Sequence, residues 1–367
     1  MQSNKINVLM ISYGRGALYE NKAGVLDRHV EYSSHFNSLK IIYLTKKKLK
    51  KKNLGNLIIV PVFGNSYLVC FLKALFINLK NYHVVTTQDP FLTGLLGLFY
   101  KKRFKLKLHV QNHSNFIDNK YWIKENKFNL ILNQIAKKII LPQANRLRVV
   151  NSFEKANYIK KLNIPEKIID VAPISVNPIF HSKVTKQLMD DFNDIHKIEN
   201  KKFKIGWAGR FVRLKRLDIL FEYASLLDDE NEIQLILAGN NLNTDFDLEA
   251  LERKHSIKPV YTGQLAPIEL VKFYKSLDVF VLTSEYEGYG MVLAEALTCN
   301  TPVLVSDSSN GTFDIIKENN HASYFSSFED FKTKIFELKN NKTRNFNSNL
   351  NFKTRTSVES IIKTIFV

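Results

Sequence analysis

Residues 282–307 read LTSEYEGYGMVLAEALTCNTPVLVSD, and they decide the fold because a strand, a glycine-opened turn, a helix start and a second strand follow in under thirty positions. The apolar run Val279–Ser284 leads in, and Pro302–Asp307 leads out. Near-continuous apolar runs of this length suit strands buried on both faces of a parallel sheet. Gly288 and Gly290 free the backbone between them, so that the amides of Met291 and Val292 head the helix and can receive an anion such as phosphate. Glu287 and Glu295 flank that helix start with seven residues between them, about 12 Å of rise if every position were helical. Each carboxylate can accept hydrogen bonds from paired hydroxyls. One can meet the sugar end of a ligand and the other its ribose.

The same rhythm extends in both directions. Upstream in the second half, Phe203–Ala208, Ile233–Ala238 and Pro259–Gly263 are strand-like; in the first half so are Ile6–Ser12, Leu39–Thr45, Leu57–Val62, His83–Gln88, Leu106–Gln111, Leu147–Asn151 and Ile169–Ile174. Strands alternating with helical stretches imply βαβ units and two parallel sheets, and 367 residues suit two domains of ordinary size. Residues 172–181, APISVNPIFH, carry two prolines that favour extended backbone before them, which places the hinge there. The expected organisation is a basic N-terminal Rossmann-like domain over 1–175, a linker over 176–200, a second Rossmann-like domain over 201–340, and a connector with a closing helix over 341–367. The connector is rich in Asn, Lys and Thr, and SVESIIKTIF at its end is apolar at helical spacing.

Charge is unevenly spread. Through residue 180 there are 29 Lys and Arg against nine Asp and Glu, a surplus of 20, whereas the remainder has 24 against 26. The clusters KKKLKKK at 46–52 and KKRFKLK at 101–107 concentrate it. An acidic membrane leaflet, nucleic acid and a phosphorylated substrate would each answer such a surface, as would plain solvation of a lysine-rich one. No run approaches the ~20 apolar residues of a spanning helix, since Leu68–Leu79 is interrupted by Lys73 and Asn78. The opening MQSNKINVLMIS lacks a secretory h-region. Cys70 and Cys299 have neither metal spacing nor a catalytic signature, which fits a reducing cytoplasm.

A second motif stands at 206–220, GWAGRFVRLKRLDIL. A strand ends in Gly209 and Arg210, and Lys215 follows five residues on. A planar guanidinium and a flexible ammonium converging on a strand end can stabilise a departing diphosphate electrostatically, and Gly209 lets the backbone turn closely. The bland alternative is a basic helix start on the surface.

Taken together, residues 203–320 resemble the donor-binding domain of the large retaining glycosyltransferase family of GT-B fold, group 1 or family 4 type. The resemblance rests on the strand-end Gly-Arg with Lys five residues on, then Glu-x7-Glu within EGxG…EA…PV. It implies two Rossmann-like domains facing across a cleft, with the C-terminal helix packing back on the N-terminal domain. It also implies Arg210 and Lys215 on the donor diphosphate, Glu287 on the transferred sugar and Glu295 on the ribose. Val260 and Tyr261 fall where members hold the base through backbone. Gly239 matches the crevice-lining glycine, although Asn240 and Asn241 depart from the commoner Gly-Asp-Gly. The likeness is thinner in the first half: KLHVQNHSNF at 107–116 resembles the strand ending in Gln-x-His, which places His113 by the sugar, and KAGVLDRH at 22–29 places Gly24 by the donor. His109, inside that strand, reads as a core histidine. TTQDPFLTG at 86–94 is family-like too, but Asp89 suits a turn as well as an acceptor site.

Asp245-Phe246-Asp247 has the spacing of a metal-binding DxD but sits at a helix start, where acids cap and meet the dipole; no metal and no cofactor are expected. Asp228 and Asp229 read as solvated.

The resemblance implies retaining hexosyl transfer from a UDP- or GDP-sugar to a hydroxyl of a glycan, lipid-linked in the preferred setting of lipopolysaccharide O-antigen or capsule synthesis. Closure across the hinge would exclude water during transfer. With the basic half toward the acceptor, the expectation is a cytoplasmic protein in peripheral contact with anionic membrane at the inner face of the plasma membrane. Two alternatives are a sugar-nucleotide 2-epimerase of the same architecture, against which Arg-x4-Lys with Glu-x7-Glu argues, and a nucleic-acid-binding protein. No nucleic-acid partner is expected, because no binding module or RNP-like aromatic motif is present.

Overall fold

The structure is a computed structural model that describes residues 6–14, 16, 18–20, 24–227, 232–240, 246–340 and 358–366. The chain divides into two compact units, Met1–Ser175 with Arg355–Val367, and Val176–Thr354. Each is a sheet with helices between its strands.

The first unit runs β1 (Asn7–Tyr13), α1 (Val25–Ser34), β2 (Ser38–Thr45), β3 (Lys52–Leu54), β4 (Leu57–Phe63), α2 (Tyr67–Ala74), β5 (Val84–Thr87), α3 (Leu92–Phe104), β6 (Lys107–Asn112), α4 (Lys120–Glu125), α5 (Lys127–Ile135), β7 (Arg146–Val149), α6 (Ser152–Leu162) and β8 (Ile169–Val171). Its strand order is β3-β4-β2-β1-β5-β6-β7-β8. Every pairing is parallel except β3 with β4. Val8, Leu9, Met10 and Ile11 are all buried, so β1 feeds a core on each face of the sheet, as its unbroken apolar run requires.

The second unit runs α7 (Lys186–His196), β9 (Phe203–Arg210), α8 (Leu217–Leu227), β10 (Ile233–Asn240), α9 (Leu248–His255), β11 (Val260–Gly263), α10 (Pro267–Ser276), β12 (Val279–Leu282), α11 (Met291–Thr298), β13 (Val303–Ser306), α12 (Phe313–Lys317), β14 (Ala322–Phe325) and α13 (Phe328–Asn340). The order β11-β10-β9-β12-β13-β14 is parallel throughout. It is a doubly wound sheet whose order reverses between β9 and β12.

One expectation about the connections changes. Residues 176–200 are built into the second unit rather than free: a 3-10 turn at Pro178–His181 and α7 bury Phe180 and Phe192, and the Cys299 thiol reaches the Phe180 carbonyl at 3.5 Å. Apolar side chains, not the polar composition, set their place. The connector at 341–357 lies outside the described residues. Beyond it, α14 (Val358–Ile365) returns to the first unit, where Ile361, Ile362 and Ile365 join the cluster of Val8, Met10 and Ile41.

Candidate functional site

In an open α/β sheet the crevice forms outside the carboxyl ends of the strands where the order reverses. In the second unit that point lies between β9 and β12, and the sequence-selected residues gather there. Arg210 ends β9, exposed. The chain then makes a 3-10 turn over Arg213–Lys215, and Thr283 and Glu285, just after β12, bind it through the Lys215 carbonyl at 2.9 Å and the Leu214 carbonyl at 3.0 Å. Lys215 is thereby held over the loop that carries Glu287. Its ammonium donates to Glu287 Oε1 at 2.5 Å, and the Ser284 hydroxyl donates to the same oxygen at 2.7 Å. Both partners are mostly shielded, at 17% and 12% side-chain exposure, so solvent screens this pair little.

Two close approaches fix the crevice. Gly209 and Gly239 are register partners on β9 and β10, and a Cβ on Gly239 would stand 2.0 Å from the Gly209 carbonyl oxygen. Asn240 ends β10, and Asn241 lies outside the described residues. On the other side, a Cβ on Gly311 would stand 2.0 Å from the Glu287 carbonyl oxygen. The loop after β13 therefore presses directly on the Glu287 backbone. Ser308 and Ser309 complete the clamp, donating to the Ser284 carbonyl at 3.1 and 2.5 Å.

Gly290 caps α11 in the left-handed region, φ 85°, without a side-chain hydrogen bond. That leaves the amides of Met291 and Val292 at a positive helix end, where the first N–H groups have no intrahelical partner. Glu287 precedes this helix in the loop and Glu295 lies within it, so the eight-residue step between them is only half helical. The Tyr274 hydroxyl, on buried α10, donates to Glu295 Oε2 at 2.9 Å. Burial lifts the Glu295 carboxyl to about 7, against the lowering effect of that hydrogen bond. Val260 and Tyr261 lie on edge strand β11, where the Tyr261 hydroxyl donates to Glu252 at 2.6 Å and its ring meets Phe211 edge-on at 6.4 Å. Asp247 caps α9 by accepting from the Ala250 amide, as read; Asp245, Asp228 and Asp229 lie outside the described residues.

The first unit places its own selected residues at strand ends near its reversal between β1 and β5. Gly24 caps α1 with φ 67°. His113 follows β6, its Nε2 3.0 Å from Gln88 Oε1 just after β5. Burial holds its imidazole down near 3, and Arg148, Arg28, His109 and His29 push the same way. His109 is fully buried, sharing hydrogen bonds with Thr86 at 2.9 Å and with Thr364 of α14 at 3.3 Å, the core histidine that its place inside the strand suggests. Asp89 is a turn former: its carboxylate accepts from the Phe91 amide at 2.7 Å and the Thr93 hydroxyl at 2.7 Å.

A family model for group 1 glycosyl transferases matches residues 189–356, a span that holds the whole β9–β12 crevice. Through that span the chain is similar to the group 1 glycosyl transferases. The chain is 26% identical over 244 residues to the poly(ribitol-phosphate) alpha-N-acetylglucosaminyltransferase of Staphylococcus aureus, covering 64% of the chain and 43% of that protein. It is 23% identical over 245 residues to the alpha-monoglucosyldiacylglycerol synthase of Streptococcus pneumoniae, covering 64% and 54%. The chain spans about half the length of these curated relatives. Among solved structures, Anabaena HepE in complex with UDP superposes with a TM-score of 0.74 over 98% of both chains at 13% identity, which fixes the fold as GT-B with two Rossmann-like domains.

Sequence reasoning passed over Tyr274, Gly311 and the serines at 284, 308 and 309. Tyr274 sits in an amphipathic helix pattern and its hydroxyl target is 21 positions away in the chain. The run SSNGT at 308–312 looks like an ordinary turn. Its one signal was a glycine in the loop that follows a strand end.

Proposed function

We propose that the chain is a glycosyltransferase that moves a hexosyl unit, with retention, from a UDP- or GDP-sugar to a hydroxyl of a glycan acceptor. The observation that carries the reading is the convergence of Arg210, Lys215, Glu287 and Glu295 on one strand-order reversal within the second unit. Arg210 and Lys215 hold the diphosphate, with the Met291 and Val292 amides adding donors at the helix end. Glu287 orients the sugar, Glu295 takes the ribose hydroxyls, and the Val260–Tyr261 strand edge holds the base. Gly209, Gly239 and Gly290 let backbone approach the donor.

In the transfer, the acceptor oxygen bonds to the anomeric carbon on the face from which the bond to the phosphate oxygen breaks. The acceptor's proton passes to that phosphate oxygen, and nucleoside diphosphate leaves. Negative charge grows on the leaving group through an oxocarbenium-like transition state, and fixed cations stabilise it most there. Lys215 already holds Glu287, so a bound diphosphate gives one ammonium two anionic neighbours and ties leaving group to sugar position. His113 and Gly24 are assigned to donor and sugar by resemblance; His113 would act as a neutral hydrogen-bonding group. No metal or cofactor is required. HepE was solved with UDP bound, which supports a uridine donor.

A lipid-linked glycan acceptor, work at the inner face of the plasma membrane and a role in lipopolysaccharide or capsule assembly complete the proposal, supported by the basic first unit and by a relative named for a glycolipid product. The test is thermal-shift titration of wild type, Arg210→Ala and Glu287→Ala with UDP, GDP and their sugar conjugates. One nucleotide should raise the wild-type Tm by mass action and fail to do so in Arg210→Ala. No shift with any of them would sink the reading.

A further inference from the structure

Helix α2 carries one charged residue, Lys73, and is otherwise mainly apolar. Its inner face is anchored, with Cys70 and Ala74 buried and Phe71 and Leu75 packed on the core of the first unit. Its outer face is not: Leu68 is 64% exposed, Leu72 49%, and Phe76, just past the helix end, 82%. These three recur every four residues and form one stripe. Scattered exposed apolar residues need no explanation, but an aligned stripe marks a binding surface.

The rim of that stripe has one sign of charge. Lys46 stands over the Tyr67 ring at 5.0 Å, and Lys48 and Lys73 each stand 5.8 Å from the Phe63 ring centre. Between residues 32 and 88 there are nine lysines and no Asp or Glu. A surface that is anionic at its boundary and apolar just beneath would answer both features at once. A nucleic acid would use the lysines and leave the stripe in water. No helix among the described residues is long and apolar enough to cross a membrane, so contact here means lying on the boundary.

We propose that the outer face of α2 docks on an anionic bilayer, with Leu68, Leu72 and Phe76 entering the headgroup boundary while Lys46, Lys48 and Lys73 hold lipid phosphates. This deepens the membrane part of the reading above and rests on it. It does not depend on the transferase chemistry.

The experiment is co-sedimentation of the full chain with vesicles of phosphatidylcholine alone or mixed with phosphatidylglycerol. Wild type should bind the mixed vesicles and, at moderate salt, lose only part of that binding. Leu72→Asp with Phe76→Asp should bind at least roughly tenfold more weakly, because both the apolar and the electrostatic contributions fall. The double variant should keep the wild-type Tm shift with nucleotide, which separates lost docking from lost folding. Phe76→Trp gives a second readout: its emission should shift blue on adding mixed vesicles. Equal binding by the double variant, or no blue shift, would overturn the α2 surface and leave membrane contact standing. No binding of mixed vesicles by wild type, or binding of polynucleotide in their place, would overturn both. Vesicle binding without any nucleotide effect would uphold the surface and remove the transferase reading.

Discussion

The two units share one plan, a parallel sheet reversing its strand order beside the first strand, yet they place opposite kinds of group at that reversal. The second unit gathers charge: Lys215 on Glu287, Arg210 at the strand end and Glu295 under Tyr274. The first unit gathers no ion pair among these described residues, but an imidazole and a guanidinium that each meet neutral acceptors. His113 sits against Gln88, and the buried Arg148 is met only by the Ala172 and Pro173 carbonyls at 2.8 Å and by Gln111 Oε1 at 2.5 Å. Asn112 donates to Glu154 at 3.0 Å and to Tyr158 at 2.9 Å. Lysines of the first unit also follow a strand end, at Lys46–Lys48 directly after β2. A fold sets where a site can be; side chains at the reversal decide whether it handles an anion or a neutral hydroxyl.

The sharpest break of this comparison is geometric. Gly311→Val puts a branched side chain where a Cβ alone would stand 2.0 Å from the Glu287 carbonyl oxygen. Displacing that backbone by an ångström should cut nucleoside diphosphate release by roughly 100-fold. Near-normal turnover would show that the charged loop tolerates movement and that the contrast with the first unit is overdrawn.

A smaller effect separates the two sites by pH. The Glu295 carboxyl titrates at about 7 and accepts hydroxyls best when ionised. The donor KM should therefore fall as pH rises through 7, by up to roughly tenfold per unit below it, and Glu295→Gln should erase that slope. His113, held near 3, should add no limb between pH 5 and 8. A limb near 6.5 that survives Glu295→Gln and vanishes in His113→Gln would place ionisation in the first unit after all.

The smallest effect concerns stability. Burial raises the Glu154 carboxyl to about 8, against 4.5 unperturbed. Between those values the folded chain keeps a proton that the unfolded chain has released, so stability falls as pH rises through this window. Glu154→Gln mimics the protonated acid. Its Tm should match wild type near pH 4.5 and exceed it at pH 8 by a few degrees, about 2–4 °C per kcal/mol in a unit of this size. An unchanged Tm at pH 8 would mean that Glu154 ionises freely.

Most of the architecture was legible because long apolar runs have few other readings. The exceptions were short or edge strands. β3 starts at the last residue of the lysine cluster at 46–52, and only the left-handed Gly55, φ 58°, at its turn to β4 betrays it. Lysines on an edge strand also discourage pairing with other chains. β14 is four residues, three of them only partly buried, too weak a pattern to stand out. In the site, Arg210, Lys215, Glu287 and Glu295 were legible by motif spacing, whereas Glu154 was not: a Glu in a first helical turn usually faces solvent and meets the dipole. Its burial comes from Asn112, on a strand 42 positions away, together with Tyr158 one turn along its own helix.

The return of α14 to the first unit has a consequence for synthesis. Nearly all of that unit has been made once Ser175 is added, but the isoleucines of α14 that complete its core, and the Thr364 hydroxyl that reaches His109, come only after the whole second unit. At ordinary translation rates the interval is roughly ten to forty seconds. Throughout it the nascent first unit carries an open apolar slot beside β1, a natural place for a chaperone to wait. A nonsense mutation that falls just before α14 would therefore leave its damage in the first unit, although the second unit has been made in between.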